Sequence, residues 1–189
     1  MSRAYRIAVT ESQDRIIRAE DHVSTDLEII EVLPPEQMAG LLADELASRG
    51  FERDGNTLTR KQTGVTISVD TTTGTVTVST EGSEETTIEV QREGRAYDDV
   101  GPHADKVRES LKEEAKKDID KKAGEKKAAL QTKVTDRLEG ELNDLRQELD
   151  QVVNRVTAEA LKRKAAQLGQ IKEMTEDPQA GSLTIVVEV

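Results

Sequence analysis

The sequence predicts an α+β fold: a small antiparallel sheet with one covering helix, a long helical arm of coiled-coil type, and a C-terminal strand returning to the sheet. Three observations carry this reading. Between Pro102 and Pro178 the chain contains no proline and no aromatic residue, and strong helix formers carry an apolar residue every three or four positions. From Asn56 to Gln91 the apolar residues instead alternate with period two. The chain closes in SLTIVVEV, where Leu183, Ile185, Val187 and Val189 alternate with Thr184, Val186 and Glu188. The divisions expected are an acidic α+β head at 1–101, the arm at 102–177 and the final strand at 178–189.

Within the head, Tyr5, Ile7 and Val9 alternate with polar neighbours, and the RIIRA and DLEIIEVL runs share that strand character. Pro34-Pro35 halts the strand pattern and opens a helix at its first turn, and Gly50 closes it. Met38, Leu41, Leu42, Ala43 and Leu46 form the buried stripe of this helix, and Phe51 is placed to pack beneath it. Leu58, then Val65, Ile67 and Val69, then Val76 and Val78, and finally Ile88 and Val90 mark an antiparallel meander with one apolar and one Thr/Glu-rich face. The helix from Pro35 to Arg49 covers the apolar face. A Gly- and Asp-containing connector, REGRAYDDVGP, leads into the arm.

In the arm, Leu138, Leu142, Leu145, Leu149, Val152 and Val156 repeat in a 4-3-4-3-4 pattern, an a/d seam that calls for a second helix. Ahead of it, Val107, Leu111, Ala115, Ile119 and Ala123 step by four. Glu113 and Lys117, and Asp118 and Lys122, stand at the i,i+4 spacing of helix ion pairs. The final strand needs a sheet edge, and a straight helix of roughly 70 residues would carry it about 100 Å away. Two arrangements resolve this. The arm folds near Gly140 into an antiparallel helical hairpin, or two chains pair and each completes the other's sheet.

Composition limits the chemistry. Apolar residues make up 34% of the chain and its aromatics are Tyr5, Phe51 and Tyr97, so the core is thin and short of the side chains that line deep pockets. Cysteine is absent, which removes disulfides, thiolate metal sites and a cysteine nucleophile. No stretch is apolar enough to span a membrane, and MSRAYRIAV lacks the apolar core of a secretion signal; a cytoplasmic location without membrane attachment is expected. The net charge is −11 and unevenly placed: from His103 to Glu176 there are 17 basic and 16 acidic residues, leaving 10 basic and 22 acidic elsewhere. Such a head repels phosphate backbones, which argues against nucleic acid, and favours a basic protein partner.

Motifs for catalysis or cofactor binding are missing. His22, within Glu20-Asp21-His22, and His103 have no companions at metal-ligand spacing and read as solvated. The loop from Asp70 to Gly74 has turn chemistry, not the spacing of a metal loop. Glu84-Glu85 point to opposite sides of a strand, and Asp98-Asp99 lie in a loop. The lysine pairs at 116–117, 121–122 and 126–127 are interleaved with acids, as on a solvated helix. Neither a phosphate-binding glycine loop nor a nucleophile elbow occurs. No catalytic, cofactor-binding or metal-binding residue is assigned, and no cofactor is expected.

Two blocks resemble a known family: Arg18 to Gly55, RAEDHVSTDLEIIEVLPPEQMAGLLADELASRGFERDG, and Thr135 to Val189, which ends in GSLTIVVEV. They are similar to bacterial accessory proteins of FtsH ternary systems, common in planctomycete-type genomes. The closing GSLTIVVEV also resembles small accessory proteins encoded beside AAA+ ATPases. The resemblance implies a setting with an FtsH-like AAA+ ATPase, a MoxR-type ATPase and a von Willebrand A protein. It carries no catalytic residues. The function expected is therefore a non-catalytic accessory or adaptor subunit acting by protein–protein contact, with a homodimer as one form it can take. The alternative is a self-assembling structural coiled coil independent of any ATPase.

Overall fold

The computed structural model describes residues 5–97, 100–177 and 182–188. Asp98-Asp99, Pro178 and Val189, singled out above, lie outside the described residues. The described residues form a five-stranded antiparallel sheet, two helices and a separate two-stranded sheet. Strand β1 (Tyr5–Asp26) is followed by α1 (Pro35–Ser48), β2 (Glu52–Asp54), β3 (Thr57–Gln62), β4 (Val65–Asp70) and β5 (Thr75–Ala96). Helix α2 (Pro102–Leu168) and strands β6 (Gln170–Asp177) and β7 (Ser182–Glu188) complete the order. The larger sheet runs β1-β5-β4-β3-β2. Two compact units divide the chain, residues 1–20 with 81–135 and residues 21–80 with 136–189, and each draws on both the 1–101 and the 102–177 segments.

In the unit made of 21–80 and 136–189, period two does what the sequence predicts. Leu58 lies opposite Val69, Ile67 opposite Val78 and Val69 opposite Val76, so the apolar side chains share one face. Thr59, Thr66, Ser68 and Thr77 take the other. Helix α1 covers the apolar face with Met38, Leu41, Leu42 and Leu46. Pro35 occupies its first turn, where a missing N–H costs nothing. Its C-terminus closes on Gly50 at φ 85°: Phe51 N–H donates to Leu46 O at 3.2 Å and Gly50 N–H to Ala47 O at 3.1 Å. This is the Schellman pattern, whose apolar clasp is Phe51 on Leu46, both buried in the same core.

Helix α1 does not cover that face alone. Leu138, Leu145, Leu149, Val152, Val156 and Ala160 of α2 belong to the same core. The seam that called for a second long helix is filled by the sheet and α1. Width explains the difference: four strands at about 4.8 Å spacing present a face of about 15 Å, while one helix covers about 10 Å. A single 14-residue helix leaves part of the face bare, and the apolar stripe of α2 closes it.

The predicted bend at Gly140 is not present, because α2 is one helix of 67 residues running through it. A lone glycine costs about 1 kcal/mol in a helix, which burial of Leu138 and Leu145 on either side readily offsets. The DLEIIEVL run is not a strand beyond Asp26. Ile29 N–H bonds to Leu27 O and Val32 N–H to Ile30 O, γ-turn contacts that remove it from a ladder. Leu27, Ile29, Val32 and buried Leu33 still pack on the core, so apolar content is retained without strand geometry. The C-terminal strand β7 pairs antiparallel with β6 in its own sheet, and not with the sheet of the head.

In the unit made of 1–20 and 81–135, β1 and β5 form a ribbon with α2 against one face. Arg6 bonds Glu93 at 2.8 Å and Thr87 donates to Asp14 at 2.7 Å, so partners advance in opposite directions along the two strands, which are antiparallel. Ile7, Val9 and Ala96 pack with Ala104 and Leu111, and Ile88 and Val90 pack with Ala115 and Ile119. The stripe stepping by four therefore meets strands too. Gly82 and Gly94 permit the close approach: a Cβ at 82 would stand 2.9 Å from Val134 Cγ2, and one at 94 would stand 3.2 Å from Leu111 Cδ1. Polar crossings also tie helix to ribbon, with Arg15 bonded to Asp120 at 2.7 Å and Arg92 to Asp118 at 2.5 Å.

Candidate interaction surface

The most organised polar cluster centres on Arg60 of β3. Its guanidinium grips Glu148 of α2 in two parallel bonds of 2.8 and 2.6 Å and donates to Arg49 O at 3.2 Å. It also lies 4.5 Å from the centroid of the Phe51 ring, a cation–π contact. Arg49, in turn, bonds Glu45 at 2.8 Å. The Arg60 bond holds the Glu148 carboxyl below the ordinary glutamate value, against partial burial that pushes the other way. Arg60 is raised for the reciprocal reason. Planar two-point pairing joins a strand, a helix end and a second helix. It is a structural tie in which Glu148 takes the two terminal nitrogens of the guanidinium, while the buried Arg60 Nε has no hydrogen-bond partner.

The residues singled out in the sequence are scattered. His22 is exposed, its backbone N–H bonded to the Asp21 carboxylate at 2.9 Å. His103, in the first turn of α2, meets the Tyr97 ring edge-on at 6.1 Å. Asp70 accepts from the N–H groups of Thr72 at 2.8 Å and Thr73 at 3.2 Å, an Asx turn whose donors lower its pKa. Glu84 lies 4.0 Å from Lys126. Its neighbour Glu85 points to the other side of β5, as adjacent strand residues must. The lysine pairs divide in a way that sequence reading missed. Lys122 donates to Glu89 O at 3.1 Å and Lys126 bonds Thr86 Oγ1, so one member of the 121–122 pair and one of the 126–127 pair reach over to β5. Asp118 is held by Arg92 instead of the expected Lys122. The sequence signal for this is the four-residue interval between Lys122 and Lys126, which sets both on one helix face.

Grooves in both units are open and lined by charges of both signs. One of about 740 Å³ lies between Arg18, Glu20, Glu81, Ser83, Lys127 and Gln131. Another, of about 210 Å³, lies between α1 and α2 at Leu41, Glu45, Arg155 and Arg163. Among the described residues no group of three or more His, Cys, Asp or Glu side chains is placed to hold a metal ion. No helix of the described residues is long and apolar enough to cross a membrane.

Two exposed surfaces are the most regular. The first is the exposed face of β5, where Glu81, Glu85, Glu89 and Glu93 recur every fourth residue, Glu93 being paired with Arg6. The second is the β6–β7 ribbon, where Ile171 lies opposite Val187 and Met174 opposite Ile185 on one face. Val186 and Met174 are 45% and 48% exposed.

The described residues form a mixed helix–strand module with exposed charged faces and a separate two-stranded ribbon. The family is specific: a family model, FtsH ternary system domain X5, matches residues 1–189, and the chain belongs to that family. No curated protein and no solved structure matches it.

Proposed function

We propose that this chain is a non-catalytic accessory subunit of an FtsH ternary system, acting in the cytoplasm as an adaptor between protein components. Membership of the domain X5 family over the whole chain carries the reading, since a ternary system implies protein partners. An AAA+ ATPase or the von Willebrand A component is the partner this setting supplies. The acidic face of β5 supports a contact with a basic surface. The self-assembling coiled-coil alternative loses its main support, because the apolar stripe of α2 is taken up by strands and α1 of the same chain.

Co-expression of the full chain with the AAA+, MoxR-type and von Willebrand A proteins of one system tests this. Co-purification with at least one of them, together with no nucleotide binding by the chain alone in calorimetry, is expected. Tight ATP or GTP binding by the isolated chain, or failure to retain any of the three, would overturn it.

A further inference from the structure

A two-stranded sheet is marginal in water unless a third strand or a helix completes it, and an open strand edge is normally guarded by charge, proline or a bulge. The two edges of the β6–β7 ribbon differ in this respect. The β6 edge carries Lys172 and Glu173 and is broken by a register shift between Ile171 and Glu173. The β7 edge has no proline, no bulge and a single charge, Glu188, which Lys172 of the same chain already pairs at 2.8 Å.

The order of residues in β7 also matches its own reverse. In an antiparallel pairing about a twofold axis through Ile185, that residue meets its own copy. Leu183 meets Val187 of the second chain, Thr184 meets Val186, and Ser182 meets Glu188. The apolar row stays on one face, β-branched residues lie opposite each other, and no like charges meet. Moving the axis to Thr184 sets Val187 opposite Gly181, and moving it to Val186 sets Thr184 opposite Glu188, whereas the axis through Ile185 keeps β-branched Thr184 and Val186 paired on the second face. We propose that the β7 edge is a homodimerisation site, at which a second copy of this chain adds its β7 to make a four-stranded sheet β6-β7-β7-β6. This proposal is independent of the ATPase setting. Each chain carries net −11, so screening by salt should strengthen the dimer, the opposite of an acidic-to-basic contact.

Sedimentation of the full chain, with circular dichroism as a fold control, tests both the site and its register. The wild type is expected to dimerise reversibly with concentration. Thr184→Lys/Val186→Lys places lysines directly opposite lysines across the axis and is expected to give a folded monomer. The ribbon itself should tolerate the change, since position 186 lies opposite Glu173 within the chain. Thr184→Glu/Val186→Lys sets opposite charges against one another at the same positions and is expected to restore the dimer. A monomeric wild type overturns the proposal, whatever the variants do. So does a Lys/Lys variant that still dimerises, or a folded Glu/Lys variant that stays monomeric, including a case in which β7 instead binds a strand of another protein.

Discussion

Glu148 shows how a single side chain can join distant parts of the chain. Its bonds to Arg60 span 88 residues of sequence, and the two side chains are only 26% and 17% exposed. Glu148→Ala leaves a half-buried guanidinium without its anion and should cost about 2 kcal/mol. Because folding lowers the Glu148 pKa beneath its ordinary 4.5, the stabilisation is complete above that value. It is lost as pH falls through the lowered folded value. Wild-type stability should therefore decline over that acid range more steeply than that of Glu148→Ala, as denaturant melts at several pH values would show. Glycines separate two other cases. Gly124→Ala and Gly140→Ala add a methyl where nothing lies within 4 Å, and each should raise stability by about 0.5–1 kcal/mol if α2 is continuous. Gly82→Ala drives its Cβ to 2.9 Å from buried Val134 and should lower stability by about 1–3 kcal/mol. Thermal melts of the three variants should split in sign. Residues whose partners lie nearby were legible in sequence: Phe51 beneath α1, and Asp70 in its turn. The Arg60–Glu148 bond was not, since nothing local marks two charges that meet across 88 positions.

Elements were read most securely where periodicity fixes conformation without fixing the partner. Helix α1, the meander and the long helical run all follow from their periods. The 4-3-4-3-4 seam of α2 specified burial of one stripe, and a stripe buried on a sheet has the same spacing as one buried on another helix. For that reason the coiled-coil partner, the bend at Gly140 and the return of the last strand to the head sheet all rest on one assumption, that the stripe faces a second helix. The structure replaces it with burial of the stripe on strands and α1. DLEIIEVL shows the converse, apolar content buried without a ladder. Leu145→Asp/Leu149→Asp puts two charges beneath the sheet and should cost about 3 kcal/mol or more per site, seen as loss of cooperative unfolding. An unchanged melt would show that these leucines do not contribute to the core.

For the whole molecule, charge placement is the feature that survives from sequence to structure. The acidic excess outside 103–176 is displayed in part as a row of glutamates on one face of β5, and the chain belongs to the FtsH ternary system domain X5 family. Neither fold class nor family membership names the partner, because contact surfaces carry no sequence motif of their own. The direct test is the affinity of the full chain for the AAA+ or von Willebrand A component, measured at low and raised salt for wild type and Glu81→Lys/Glu85→Lys/Glu89→Lys. The account predicts that exposed charges, screened over about 10 Å at 0.1 M ionic strength, make wild-type binding weaken with salt. Charge reversal should weaken it by about tenfold or more at low salt. Binding that is indifferent to both salt and reversal would contradict recognition through the acidic face.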